Sequence, residues 1–367
     1  MKQLRHVIAA VNGRPWYVIE ETLDTIHAIV QMHVEGARLS PDEIQARLDI
    51  AAAASGPRRG ARTVGSVGIV PVYGIIMPRA TLMTEMSGGA TVAGIRLMFR
   101  QALEDETIGS ILLDFDSPGG AVDGIEELAT EIREARGRKP IVAIADYCMA
   151  SAAYYLASQA DEVVASPSSQ VGWVGTIFKH TEFSKMNEMD GVTVTVIRNP
   201  PGKSQVNDVE ALTEEAKADL QQRVDDYSVQ FHSAVAKGRG VSVAAVKADY
   251  GGGGGMTAAR AKAAGLVDRV ESYDATVHRL ATGRGPAPRG TSALVDLTDL
   301  APDGTRAEFD TSPLLRGKSN QGGHATPADD PDADATEDAG TPPDATAQIA
   351  DAGDLDLRKL KLRARSR

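Results

Sequence analysis

Two short hydrophobic runs stand out along the chain: Ile111 to Phe115, broken only by Asp114, and Ile141 to Ala145, wholly apolar between Pro140 and Asp146. Runs of this length, with no polar alternation, read as parallel strands buried on both faces. A helix-compatible stretch follows each one, Ile125 to Ala135 after the first and Ala152 to Ala157 after the second. The earlier segment GIVPVYGIIMP has the same strand character. Further on, Ala216, Leu220, Val224, Tyr227, Phe231 and Val235 form a stripe at helical spacing. Thr213 stands where it can cap that helix, and Glu214 and Glu215 suit its positive end. Near the start, Ile19, Leu23, Ile26, Val30 and His33 recur at helical spacing, and Ser40 can open a second helix over Pro41 to Ala54. Ser55 to Thr63 is a basic linker, and Gly251 to Gly255 reads as a flexible glycine loop.

The expected fold class is α/β, built from repeated strand–turn–helix units. A helical N-terminal segment and linker cover 1–62, and the main domain covers 63–282. From 283 to 367, Pro, Gly, Ala, Thr and Asp dominate. That composition has too little apolar content to offset the entropy of ordering, so a disordered acidic tail is expected. The tail ends in LDLRKLKLRARSR, where basic residues mix with leucines. Two readings stay open there: a docking peptide for an acidic or apolar partner, and a solvated chain end.

Candidate chemistry sits at two of the strand-to-helix junctions. The first run leads into Ser117-Pro118-Gly119-Gly120, a tight turn whose glycines let backbone approach a ligand closely. The second leads into Ser151, with the Ala152 N–H next in line at a helix start. Neighbouring parallel strands would then place two backbone N–H donors beside a hydroxyl, which is the arrangement of an oxyanion hole with its nucleophile. A hydroxyl needs a base to take its proton. A free lysine, with a pKa near ~10.4, can serve only where burial or positive neighbours lower that value. The single cysteine, Cys148, rules out an intramolecular disulfide framework and reads as a small buried thiol despite lying close to Ser151.

The net charge of −11 over 367 residues argues against nucleic acid as the main partner. At the N-terminus the apolar run Val7 to Val11 is too short for a secretory signal peptide, and no window has the length of a membrane span. The expected location is therefore cytoplasmic. No histidines pair at metal-ligand spacing, so neither metal nor other cofactor is expected.

From Val67 to Val270 the chain resembles the signal-peptide-peptidase-A family of serine proteases, within the ClpP/crotonase fold. The matching segments are GIVPVYGIIMP, DSPGG, MASAAYYLAS, DEVVASPSSQVGWVG, the Lys203 loop and MTAARAKAAGLVDRV, in that order. The resemblance implies Ser151 as nucleophile and an oxyanion hole lined by Ala152 with Gly119 or Gly120, of which Gly120 is favoured. It implies Lys203 as general base, 52 residues after Ser151. Lys179 and Lys185 are weaker competitors. Thr176 stands where ClpP itself carries a histidine, and His180 is an accessory candidate that positions substrate or loop.

The missing anchor, the His180 context and the appended tail resemble bacteriophage or prophage capsid-maturation proteases of the lambda head-protease kind. That resemblance implies capsid, scaffold or portal proteins as substrates, self-cleavage, a homo-oligomer, and action in the host cytoplasm or procapsid interior. Three alternatives stay open: a cytosolic family member in protein or signal-peptide turnover, a crotonase-like acyl-CoA enzyme, and a non-catalytic capsid assembly scaffold.

Overall fold

The computed structural model describes residues 14–26, 61–80 and 89–287. The expected helix over 41–54, most of the 55–63 linker, Val30, His33, and the tail beyond 287 lie outside these residues.

In chain order the elements are β1 (Trp16–Val18), β2 (Arg62–Val64), β3 (Val67–Tyr73), α1 (Val92–Glu104), β4 (Ser110–Ser117) and β5 (Gly119–Ala121). Next come α2 (Ile125–Glu134), β6 (Ile141–Ala150), α3 (Ala152–Ala157), β7 (Glu162–Ala165), β8 (Gln170–Gly172) and α4 (Ser184–Met189). The chain continues through α5 (Glu214–Arg239), α6 (Val243–Asp249), β9 (Gly255–Thr257), α7 (Ala258–Ala263), β10 (Arg269–Val270) and α8 (Tyr273–Ala281). Residues 20–26 are also helical. The main sheet runs β10-β7-β6-β4-β3-β2, parallel along this path except for the β2–β3 edge, with β8 parallel to the end of β6 and β9 antiparallel to β8. This is the expected α/β class of repeated strand–turn–helix units.

The two central strands are largely apolar because helices cover both faces; the buried Asp114 of β4 accepts from the Tyr73 hydroxyl. Ile111, Leu113, Phe115, Ile141, Ala143 and Ala145 belong to the large core beneath α1, α2, α3 and α5. Their alternates Leu112, Val142 and Ile144 pack on the other face with Val277 and Leu280 of α8. The Thr213 hydroxyl accepts the Ala216 N–H and caps α5, as expected.

Three expectations need correction. The second strand does not stop at Asp146 but continues to Ala150. Asp146 instead marks a change of partner: β6 pairs with β7 through Ala145, and with β8 from Cys148 on. The SPGG stretch is not only a turn, because Gly119–Ala121 forms β5. The N-terminal segment is not helical throughout, since Trp16–Val18 is a strand paired with β5. Proline at 15 followed by two aromatics and a valine favours extended backbone there, ahead of the helical periodicity.

Arg136 ties the helices beneath the sheet together. Its buried guanidinium donates to the carbonyls of Ser158, Gln159, Ala160 and Gly238. These lie just past the ends of α3 and within the last turn of α5, where helical carbonyls lack intrahelical partners. Replacing Arg136 with Ala is expected to lower unfolding free energy by about 3 kcal/mol, because several buried acceptors lose a charged donor. Urea denaturation checks this. A loss too small to resolve would show that water replaces the guanidinium freely.

Candidate active site

The site begins with strand register. β4 and β6 run parallel from Ile111 opposite Ile141 to Phe115 opposite Ala145. The register then shifts, and Ser117 lies opposite Met149. Two residues beyond each of those positions stand Gly119 and Ser151. They are so close that a β-carbon added to Gly119 would lie 3.0 Å from the Ser151 Cβ.

Ser151 joins β6 to α3 with φ 53° and ψ −114°, a sparsely populated region for a residue with a side chain. Such a conformation costs about 1–3 kcal/mol and persists only where the surroundings enforce it. Here the Ser151 N–H donates to the Gly172 carbonyl at 2.8 Å, and the Ser151 carbonyl accepts the Tyr155 N–H at 2.8 Å. The residue is buried, and its Oγ has no hydrogen-bond partner among the described residues. Ala152 is the first residue of α3, so its N–H has no intrahelical acceptor.

Gly119 and Gly120 are both required sterically. Gly119 has φ 103°, and a β-carbon on it would lie 2.1 Å from the Tyr17 carbonyl oxygen. A β-carbon on Gly120 would lie 1.9 Å from the Ile76 carbonyl oxygen. The Gly119 N–H is engaged with the Ser117 hydroxyl, which itself donates to the Gly74 carbonyl at 2.6 Å. Within β5, the Gly119 carbonyl and the Ala121 N–H bond to Ile76, so the backbone groups of Gly120 face the opposite edge. This leaves Gly120, rather than Gly119, with the N–H that is free of the β5–Ile76 edge.

The remaining expected residues are placed differently. Lys203 lies in an exposed turn, its N–H donating to the Pro200 carbonyl, and its amine makes no hydrogen bond to Ser151. Lys179 is ion-paired with Asp24, and Lys185 is exposed. His180 is half-buried, with both ring nitrogens out of solvent and unpartnered; the Thr176 hydroxyl is likewise unpartnered. Burial, followed by the nearby Asp116 charge, pushes the Cys148 thiol up to about 12, which keeps it protonated at neutral pH and removes it as a rival nucleophile.

Tyr17 has no counterpart in the sequence reading. Its ring packs against Tyr155 and Phe231, with centroid distances of 5.6 and 4.9 Å, and its hydroxyl donates to the Tyr227 carbonyl. The PWYV stretch was the available signal. A hydroxyl beside backbone N–H groups can attack a carbonyl carbon and have the resulting oxyanion held by those donors, once a base removes its proton.

Comparison with known proteins finds similarity over much of the chain. The model of Peptidase family S49 matches residues 133–285. "Head-tail preconnector protein GP5" of Enterobacteria phage P21 is 29% identical over 303 residues, 79% of this chain and 59% of that protein. "Capsid assembly protease C" of Escherichia phage lambda is 29% identical over 292 residues, 73% of this chain and 65% of that protein. "Putative protease slr0021" of Synechocystis is 30% identical over 203 residues, 54% of this chain and 73% of that protein. The chain thus spans less than two thirds of the length of either phage relative.

Two measurements probe the geometry. Gly120→Ala is expected to slow modification of Ser151 by a fluorophosphonate about 10²-fold, since the displaced β5 backbone no longer lines the serine. An unchanged rate would mean that β5 does not shape the site. Iodoacetamide is expected to alkylate Cys148 at pH 8 about a thousandfold more slowly than free cysteine, because so little thiolate is present. Alkylation at the free-cysteine rate would contradict the buried environment.

Proposed function

Since the chain belongs to peptidase family S49, we propose that it is a serine endopeptidase in which Ser151 attacks the peptide carbonyl and Lys203 is the base. The observation that carries this is Ser151 itself: a strained, buried serine with an unpartnered hydroxyl, set against the Gly119–Gly120 backbone. Strain of this kind is retained where it positions a reacting group.

The reaction is acyl transfer. The neutral Lys203 amine takes the Ser151 proton as Oγ bonds to the substrate carbonyl carbon. The N–H groups of Gly120 and Ala152 hold the oxyanion. The protonated lysine then gives its proton to the leaving amine as the peptide C–N bond breaks. Water, deprotonated by the same lysine, releases the acyl group and restores the serine. His180 serves as an accessory group on the substrate side.

Lys203 is solvent-exposed in the single chain, so the base reaches the serine when its loop is covered. The segment leading to it exposes Met189, Val192, Val194 and Ile197, the last at 94%. An apolar run of this kind beside a catalytic loop fits burial against a second copy of the chain. The active form is therefore a homo-oligomer, and assembly delivers the lysine.

The two phage relatives align over 79% and 73% of this chain, against 54% for the cyanobacterial one. This favours capsid, scaffold or portal proteins as substrates, with self-cleavage, in the host cytoplasm or procapsid interior. Protein turnover in the cytosol is the weaker reading, and a non-catalytic scaffold would not need the strained serine.

Ser151→Ala and Lys203→Ala are each expected to lower turnover about 10³-fold or more with the fold intact. Intact-mass analysis of the protein co-expressed with neighbouring head genes reads out both self-processing and substrate cleavage. Full activity of Lys203→Ala would exclude the dyad and shift attention to His180.

A further inference from the structure

The strand β1 does not belong to the main sheet. It lies between two edges beside Ser151. On one side it pairs antiparallel with β5, Trp16 opposite Ala121, Tyr17 opposite Gly120 and Val18 opposite Gly119. The ladder extends one residue further, where the Ile19 N–H donates to the Pro118 carbonyl. On its other side, the Trp16 N–H donates to the Ile177 carbonyl and the Trp16 carbonyl accepts the Ile177 N–H. The segment is thus bonded on both sides, residues 16–18 along β5 and Trp16 to Ile177, as an extended peptide would be in a slot.

The position of the Tyr17 carbonyl is informative. In an antiparallel ladder, mutually bonded pairs alternate. With Ile19 bonded to Pro118, the next bonded pair is Tyr17 with Gly120. The Gly120 N–H then points at the Tyr17 carbonyl, consistent with Gly120 turning its backbone groups away from Ile76. The Tyr17 carbonyl carbon and the Ser151 Cβ each lie 3.0 Å from the point where a Gly119 β-carbon would stand. Their separation cannot exceed the sum of those distances. A peptide carbonyl of the chain itself therefore sits beside Ser151, at the backbone donor assigned above to the oxyanion.

The side chain of Tyr17 fills a pocket of Tyr155, Tyr227 and Phe231, where it is 1% exposed. The rest of the segment packs apart from the main core. Trp16, Val18, Leu23 and Ile26 form a small cluster with Ala121, edged by Ile75, Met77, Ile177 and Phe183. Its outer ties are the exposed pairs Arg14 with Asp123 and Lys179 with Asp24. A small satellite cluster with exposed ties can open locally while the main core stays closed.

We propose that Trp16–Val18 is a built-in peptide ligand of this centre, holding the slot beside Ser151 closed until a substrate strand displaces it. This rests on the reading of Ser151 as nucleophile. The incoming ligand is an extended peptide that presents an aromatic side chain at the position of Tyr17, because that pocket and that backbone donor are what β1 occupies. Access to Ser151 is then set by competition with the chain's own residues.

The test uses the full chain and a small fluorophosphonate, with intact mass reporting modification of Ser151 and Ser151→Ala as the blank. Tyr17→Ala is expected to raise the modification rate about tenfold if the wild-type slot is open about one time in ten. A synthetic peptide GRPWYVIE added to the Tyr17→Ala protein is expected to slow it again, and GRPWAVIE is not. A folded Tyr17→Ala protein modified at or below the wild-type rate would overturn the proposal. Should that variant fail to fold, the wild-type chain still decides. An acetyl-Pro-Trp-Tyr aryl phosphonate is expected to modify Ser151 faster than its Pro-Trp-Asp counterpart, and equal rates would overturn the assignment. If the small fluorophosphonate modifies Ser151 in none of these proteins, the serine reading fails and this inference fails with it.

Discussion

The parallel pairing of β4 with β6, and the register shift within it, is the constraint on which the rest of the site depends. Before the shift the two strands are ordinary core, with side chains buried on both faces. After it, Ser117 is level with Met149, and the next residues leave the sheet in opposite manners. One strand turns through Pro118 into a glycine edge; the other bends sharply at Ser151 into α3. Neither the serine nor the glycines make a site alone. The ladder brings them into van der Waals contact, and the apolar core holds the ladder in register.

That core was legible in the sequence. Ile141 to Ala145 is an unbroken apolar run, and Ile111 to Phe115 is broken only by Asp114, because helices cover both faces. The stripe from Ala216 to Val235 and its Thr213 cap were legible for a similar reason: one helix, one buried face, one capping hydroxyl. The junctions after the strands were also visible, since glycine pairs and a serine between a strand and a helix are local signals. The continuation of β6 to Ala150 was not. Asp146 interrupts the apolar run, and only the partner change to β8, set by tertiary pairing, keeps the backbone extended there.

Two further features lay beyond local pattern. Trp16–Val18 pairs with residues more than a hundred positions away, and the helical periodicity that starts at Ile19 draws attention from the short β-prone stretch before it. Lys203 was found by spacing within a resemblance, and spacing says nothing about exposure. In the single chain its loop is solvated, whereas Ser151 is buried with an unpartnered hydroxyl. The proposed nucleophile and base are thus separated by burial, and an exposed apolar segment precedes Lys203. Together with β1 in the slot, the proposed reading is of a peptidase restrained twice, by its own strand and by the separation of Lys203 from Ser151.

The most direct measurement of the central claim is a crystal structure of the chain after reaction with a peptidyl aryl phosphonate. The expected result is a bond from the Ser151 Oγ to phosphorus, with the phosphonyl oxygen within hydrogen-bonding distance of the Gly120 and Ala152 N–H groups and β1 displaced from the slot. An adduct on another residue, or one whose oxygen points away from the Gly119–Gly120 edge, would contradict the account.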